Sequence, residues 1–193
     1  MTDTKPAGPV RLVAGAELPA SGRWQIDPGH TEAAFIGRHF MLTKVRGRFT
    51  GVTGTIVVAD EPGESTVEVT IDMASVESGS QARDDHLRSA DFFDTARHPT
   101  AAFSGRAAHW QGTQGLLAGE LTIRGITRPV TLQVGYLGHV ADPWGGQRAI
   151  FTAHGILNRE DWGLTWNMLL DGGGLLVSKD IGIEIEAEAV LQS

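Results

Sequence analysis

From Arg23 onward, apolar and polar residues alternate with a period of two. Successive side chains of a β-strand point to opposite faces, so this alternation predicts strands with one face on a core and the other in water. In Thr66 to Asp72, Val67, Val69 and Ile71 share one face while Thr66, Glu68, Thr70 and Asp72 share the other. Leu121 and Ile123 separate in the same way from Glu120, Thr122 and Arg124, and Val130, Leu132, Val134 and Tyr136 from Thr131 and Gln133. The last such run sets Ile181, Ile183, Ile185, Ala187 and Ala189 against Gly182, Glu184, Glu186 and Glu188, and is placed to close a barrel. The fold class expected is all-β.

Turn residues punctuate the strands at Asp60 to Gly63, Gly112 to Gly115, Asp142 to Gly146 and Asp171 to Gly174, a regularity that favours an up-and-down sheet. One segment departs from period two. Ser78 and Gln81 have capping-box spacing, and Asp84 and Asp85 suit the positive end of a helix, which predicts a short helix over Arg83 to Ala90. The pair Phe92 and Phe93, flanked by Asp91 and Asp94, must bury at least one ring, across a barrel mouth or seam.

With 193 residues the chain has room for one substantial core, expected at 23–193 behind a flexible extension at 1–22. That extension carries Lys5 and Arg11, but Glu17 and Pro19 interrupt its apolar stretch, unlike a signal-peptide core, so a cytoplasmic address is expected. No stretch approaches the ~20 apolar residues of a spanning helix, and stable membrane insertion is not expected. A net charge of -7 disfavours nucleic acid, and the one basic cluster, Lys44, Arg46 and Arg48, reads as a solvated strand face. The chain has no cysteine, which excludes disulfides, thiolate metal sites and cysteine nucleophiles.

Catalytic motifs are missing: no serine sits in a G-x-S-x-G elbow, and Gly172 to Gly174 does not space like a phosphate loop. None of the seven histidines forms H-E-x-x-H or H-x-H. His30 and His39 lie roughly 30 Å apart if the strand between them is straight, on opposite faces, so they do not make a metal pair. His30 reads as a turn residue and His39 as an inward histidine satisfied by a hydrogen bond. Asp84, Asp85 and His86 point in different directions from successive helix positions, and capping accounts for the acids. No catalytic residue, metal or cofactor is assigned.

Several blocks of residues resemble the YceI-like family of polyisoprenoid-binding, lipocalin-like proteins. They are Trp24, Ile26, Asp27, Pro28, His30 and Thr31, then Phe35, His39, Val45, Gly47 and Phe49, then Ile71, Asp72 and Ser75. The central run is the most specific: Arg83, Asp84, His86 to Ser89, Asp91 to Asp94, Pro99 and Phe103. Gly119, Leu121 to Gly125, Thr127, Pro129, Asn158, Arg159, Asp161 and Gly163 follow. Ala33 and Gly37 are smaller than the aliphatics usual in the family, Trp162 stands for Phe and Thr31 for Ser. The resemblance implies an eight-stranded antiparallel lipocalin-like barrel with one short helix, a long apolar pore and a homodimer.

An eight-stranded barrel either fills with its own side chains or holds one ligand. On the strand from Thr31 to His39 the inward set would be Thr31, Ala33, Phe35, Gly37 and His39, which leaves volume unfilled. Alternation and the matched blocks make Phe35, Gly37, His39, Phe49, Leu87, Phe92 and Phe93 candidate ligand-binding residues, with Phe103, Leu121, Ile123, Phe151, Trp162 and Trp166. The cargo expected is a polyisoprenoid or isoprenoid quinone, with a fatty acid or fatty amide as the rival. A bilayer solvates such a tail as well as the protein does, so exchange with membranes should be near balance. His39 or Arg159 could meet a head group, although Arg159 reads first as the partner of Asp161 or another carboxylate. A lipid-acting enzyme using His39 with Asp27 or Asp161, and a cargo-free interaction or stress protein, are the readings from other classes.

Overall fold

The computed structural model describes residues 9–171, 174 and 176–192. The strands begin with β1 (Val10–Val13), β2 (Ala16–Pro19), β3 (Gly22–Ile26), β4 (Glu32–His39), β5 (Thr43–Phe49) and β6 (Val52–Val58). After β7 (Thr66–Asp72) and β8 (Val76–Glu77) comes the helix α1 (Gln81–Arg88), followed by β9 (Thr100–Gln111), β10 (Gln114–Ile123), β11 (Ile126–Ala141), β12 (Gln147–Asn158) and β13 (Asp180–Leu191).

β3 and β4 are two halves of one bent strand, interrupted by a 3-10 turn at Pro28–His30. Both halves lie along β13, Trp24–Ile26 on Ala189–Leu191 and Glu32–Ile36 on Gly182–Glu186. β5 and β6 bend likewise at Thr50 and Gly51, β5 pairing with β4 and β6 with β3. With each bent pair counted once, eight antiparallel strands form a closed ring, sealed where β13 pairs with both β12 and the β3–β4 strand. The lipocalin-like barrel with one helix is the observed fold.

β5 has a partner beyond β4 only at Arg48 and Phe49, which pair with β8. α1 and the turn after it pack on this side, where Phe93 meets Phe49 and Phe35 edge-on at ring separations of 5.4 and 6.3 Å. The helix begins earlier than its sequence suggests, and Ser78 does not cap it. Its N-cap residue is Ser80, with no side-chain cap. Ser78 is otherwise engaged: its backbone N–H donates to buried Asp84 Oδ1 at 2.8 Å, as does its hydroxyl, while Arg83 Nε donates to Ser78 Oγ at 2.7 Å. The helix ends at Arg88 because the chain folds back: the Arg88 carbonyl accepts from the N–H of Thr95 and the Leu87 carbonyl from that of Phe93.

From Pro9 onward the segment expected as an extension folds into a hairpin. Ala14 and Gly15, both at positive φ, form a tight turn that pairs β1 with β2. The hairpin lies across one end of the barrel, where Leu18, 2% exposed, and Ala20 pack with Trp24, Val58, Tyr136, Ala149 and Ala189. Arg11 clamps it, donating to the carbonyls of Pro19, Ala59 and Asp60. Period two is too short-lived in β1 and β2 to announce strands, and it is the apolar rim they cover that orders them. Residues 1–8, Gly172 and Gly173 lie outside the described residues, and with them part of the expected Asp171 to Gly174 turn. Among the described residues no helix is long and apolar enough to cross a membrane.

Candidate lipid-binding cavity

The ring encloses a cavity of about 520 Å³, within the ~300–1,000 Å³ typical of small-molecule sites. It runs from Leu18 and Pro19 under the hairpin to His39, Leu176 and Val177 at the other end. Ile181, Ile183, Ile185 and Ala187 all line it, a span of roughly 20 Å along β13 at ~3.3 Å per residue. The shape is therefore that of an elongated, almost wholly apolar tunnel.

Glycines opposite aromatic residues keep it hollow. The Phe35 ring lies over Gly47, its cross-strand partner, where a Cβ would stand 2.2 Å from Phe35 Cζ. Phe103 lies over the paired Gly105 and Gly119, whose Cβ positions would be 2.7 and 2.8 Å from its ring. Rings that rest against bare backbone give the lumen apolar surface while taking the space a side chain there would need.

All thirteen residues selected from the sequence line this one cavity: Phe35, Gly37, His39, Phe49, Leu87, Phe92, Phe93, Phe103, Leu121, Ile123, Phe151, Trp162 and Trp166. Phe151 packs on Tyr136 near the hairpin, at 5.6 Å between ring centres. Toward the helix, Trp166 packs on Phe92 at 5.2 Å, and Trp162 is tethered by its indole N–H to the carbonyl of Leu121 at 3.0 Å. His39 departs from expectation: among the described residues its ring makes no hydrogen bond to protein and packs on Phe40 at 4.1 Å. Being only half-buried at the rim, it does not need a protein partner.

Sequence reasoning missed Leu18, Met73, His86 and Leu164, which also line the cavity, as does Arg159. His86 holds Asp91 Oδ2 through Nε2 at 2.9 Å, and its ring stands edge-on to Phe92 and Trp166 at 5.0 and 4.6 Å. The signal for it was Asp91, a carboxylate five residues further along, in the turn after the helix.

Arg159 is the one guanidinium 5% exposed in this wall, and its expected carboxylate partner is not there. Nε donates to the carbonyl of Ser178 at 2.9 Å, Nη1 to that of Leu164, and Nη2 is buried without a partner among the described residues. Burial lowers its pKa, against the opposing field of Glu160. Asp161 stays exposed because the turn at Arg159–Trp162, capped by Asn158 accepting from the N–H of Glu160, directs it outward. Arg159 thus ties the Leu164 and Ser178 loops together instead of forming an ion pair.

Charge is concentrated on the outside. Arg46 and Arg48 bind Glu32, Glu184 and Glu77, so these two members of the basic cluster form a solvated, paired face. Arg148 gathers Asp27, Asp142 and Glu188 at 2.5, 3.1 and 3.3 Å. Its hydrogen bond, with a further one from His30, holds the Asp27 carboxyl down to about 2. Asp27, His30 and Glu188 lie within reach of one another, but Arg148 already engages both acids. His30 and His39 sit at opposite ends of β4, and neither Asp27 nor Asp161 is hydrogen-bonded to His39 among the described residues.

A closed barrel around one elongated apolar cavity defines a lipocalin-like binding fold. The chain belongs to the YceI-like family, whose domain model matches residues 24–189. It is 34% identical over 180 residues to Protein YceI of Escherichia coli, covering 93% of this chain and 91% of that one. The crystal structure of a Campylobacter jejuni YCEI protein superposes with a TM-score of 0.69 at 27% identity, covering 81% of this chain and 90% of that one. A polyisoprenoid binding domain from Saccharophagus degradans shares the fold, with a TM-score of 0.65 at 16% identity over 88% of this chain and 98% of that one.

Proposed function

We propose that the protein binds a long apolar lipid, a polyisoprenoid or the tail of an isoprenoid quinone, in the barrel and stores or carries it. The observation that carries this reading is the continuous apolar tunnel of about 520 Å³, in which the thirteen candidate residues act as ligand-contacting wall. The polyisoprenoid binding domain of the same fold supports the choice of cargo. Each methylene removed from water contributes about 0.8 kcal/mol, so a chain filling the tunnel is held strongly against water while remaining exchangeable with a bilayer. The protein acts in this reading as a binder without catalysis. The homodimer and the cytoplasmic address expected from the sequence belong to the same proposal, tested by sedimentation and by cell fractionation.

Mass spectrometry of the organic extract of protein purified from its native host tests the cargo. Recovery of one prenyl lipid per barrel is the expected result. An extract holding only fatty acids or amides would reassign the ligand, and a consistently empty barrel that takes up no added prenyl lipid would end the proposal.

A further inference from the structure

We propose that the tip Phe40–Leu42, between β4 and β5, and the adjacent segment Met168–Leu169 form a docking surface for an anionic lipid bilayer at the rim of the tunnel. The inference rests on the carrier reading above and adds where the carrier meets its lipid source.

Exposed apolar side chains are concentrated here. Of the eleven large exposed hydrophobic residues among those described, five fall in these two segments, with Leu42 and Leu169 each 79% exposed. Scattered single residues would need no explanation, whereas such a cluster marks an interaction site. The two segments are neighbours: the N–H of Phe40 donates to the carbonyl of Leu176, whose own N–H donates to that of Met168. Asn167 adds two bonds to the backbone of Val177, at 2.7 and 3.0 Å.

The tip is held outward by an unusual backbone. Phe40 and Met41 have φ of 53° and 60°, a left-handed turn that glycine or asparagine would adopt with less strain. Large apolar residues occupy it here, and the turn presents them to the exterior.

Charge selects the partner. Arg38 and Lys44 face each other across the hairpin, are exposed, and enter no ion pair among the described residues. In segments 38–44 and 164–171 the only acid is Asp171, although the chain carries -7 overall. Apolar side chains beside unpaired cations are the combination that binds anionic headgroups and the boundary beneath them. The surface is also continuous with the cavity, since Arg38, His39, Leu176 and Val177 line the tunnel. A tail leaving the bilayer here enters the barrel without crossing water.

Flotation with vesicles of phosphatidylcholine, and of equal parts phosphatidylcholine and phosphatidylglycerol, tests the proposal. The wild-type protein should float with the mixed vesicles and less with phosphatidylcholine alone. Leu42→Ser with Leu169→Ser should reduce binding by at least about tenfold, since one withdrawn leucine side chain alone accounts for that much. Lys44→Gln should weaken the preference for the anionic vesicles. Wild-type protein that does not float, or a leucine variant that floats equally well, overturns the proposal. So does a leucine variant with a changed oligomeric mass, which would assign the patch to a second copy of the chain. Prenyl lipid delivered in detergent micelles separates this from the carrier reading: the leucine variant should still fill. Should the wild type float yet never fill, the carrier reading fails while docking stands.

Discussion

The ring of Phe35 rests directly on the backbone of Gly47, its partner across β4 and β5, so closely that a Cβ there would lie 2.2 Å from Phe35 Cζ. Gly47→Ala must therefore push the ring into the tunnel. Loss of about 1–3 kcal/mol in stability is expected from overpacking, together with less lipid bound per barrel. Gly119→Ala should cost more, because its Cβ meets the Ser104 carbonyl oxygen at 2.2 Å and backbone cannot swing aside. Thermal denaturation and quantified extracts check both, and a Gly47→Ala protein with a full lipid load would contradict the account.

Arg148 stabilises ionised Asp27, whose folded value of about 2 lies below the ordinary 3.8. A depressed carboxyl contributes stability that is complete above the ordinary value and is lost as pH falls toward the folded one. The contribution is on the order of 2 kcal/mol, lost between pH 3.8 and about 2. Arg148→Met should remove it and crowd Asp27, Asp142 and Glu188 together, flattening acid dependence in that window. Urea unfolding across the window reads this out, and parallel curves for the two proteins would refute it.

Tyr136 is the single tyrosine of the chain, and its hydroxyl is buried without a hydrogen-bond partner among the described residues. Burial, aided by Glu17, pushes its pKa up to about 12. In the folded protein the phenolate absorbance should rise near 12, and the stability associated with the neutral phenol should fall away between 10 and 12. Tyr136→Phe should match or exceed the wild-type melting temperature, since it deletes an unsatisfied polar group. A clear drop in that temperature would show that the hydroxyl has a partner.

Leu18→Ala should destabilise by about 2–5 kcal/mol, the usual cost of emptying a buried leucine site. A freely moving extension would show no effect, so equilibrium unfolding of this variant tests whether the hairpin belongs to the barrel.

Strand identity was legible wherever period two ran long enough, as in Val67, Val69 and Ile71 of β7, because alternation is a local property of the backbone. The wall of the tunnel was legible for the same reason: inward residues of many strands must share one interior. Ser78 was misread because its partner is the Asp84 carboxylate reaching back from within the helix, a preference that spacing does not reveal. Arg159 was misread because its partners are the backbone carbonyls of Leu164 and Ser178, and any residue supplies a carbonyl.

Alternation and family motifs therefore dictated strands, ring and apolar lining, since these follow from which face each side chain takes. Whether the ring would be hollow was settled in three dimensions, by aromatic rings packed against Gly47, Gly105 and Gly119. The hairpin at one end and the apolar tip at the other were settled there too, because contacts between residues far apart in the chain depend on closure.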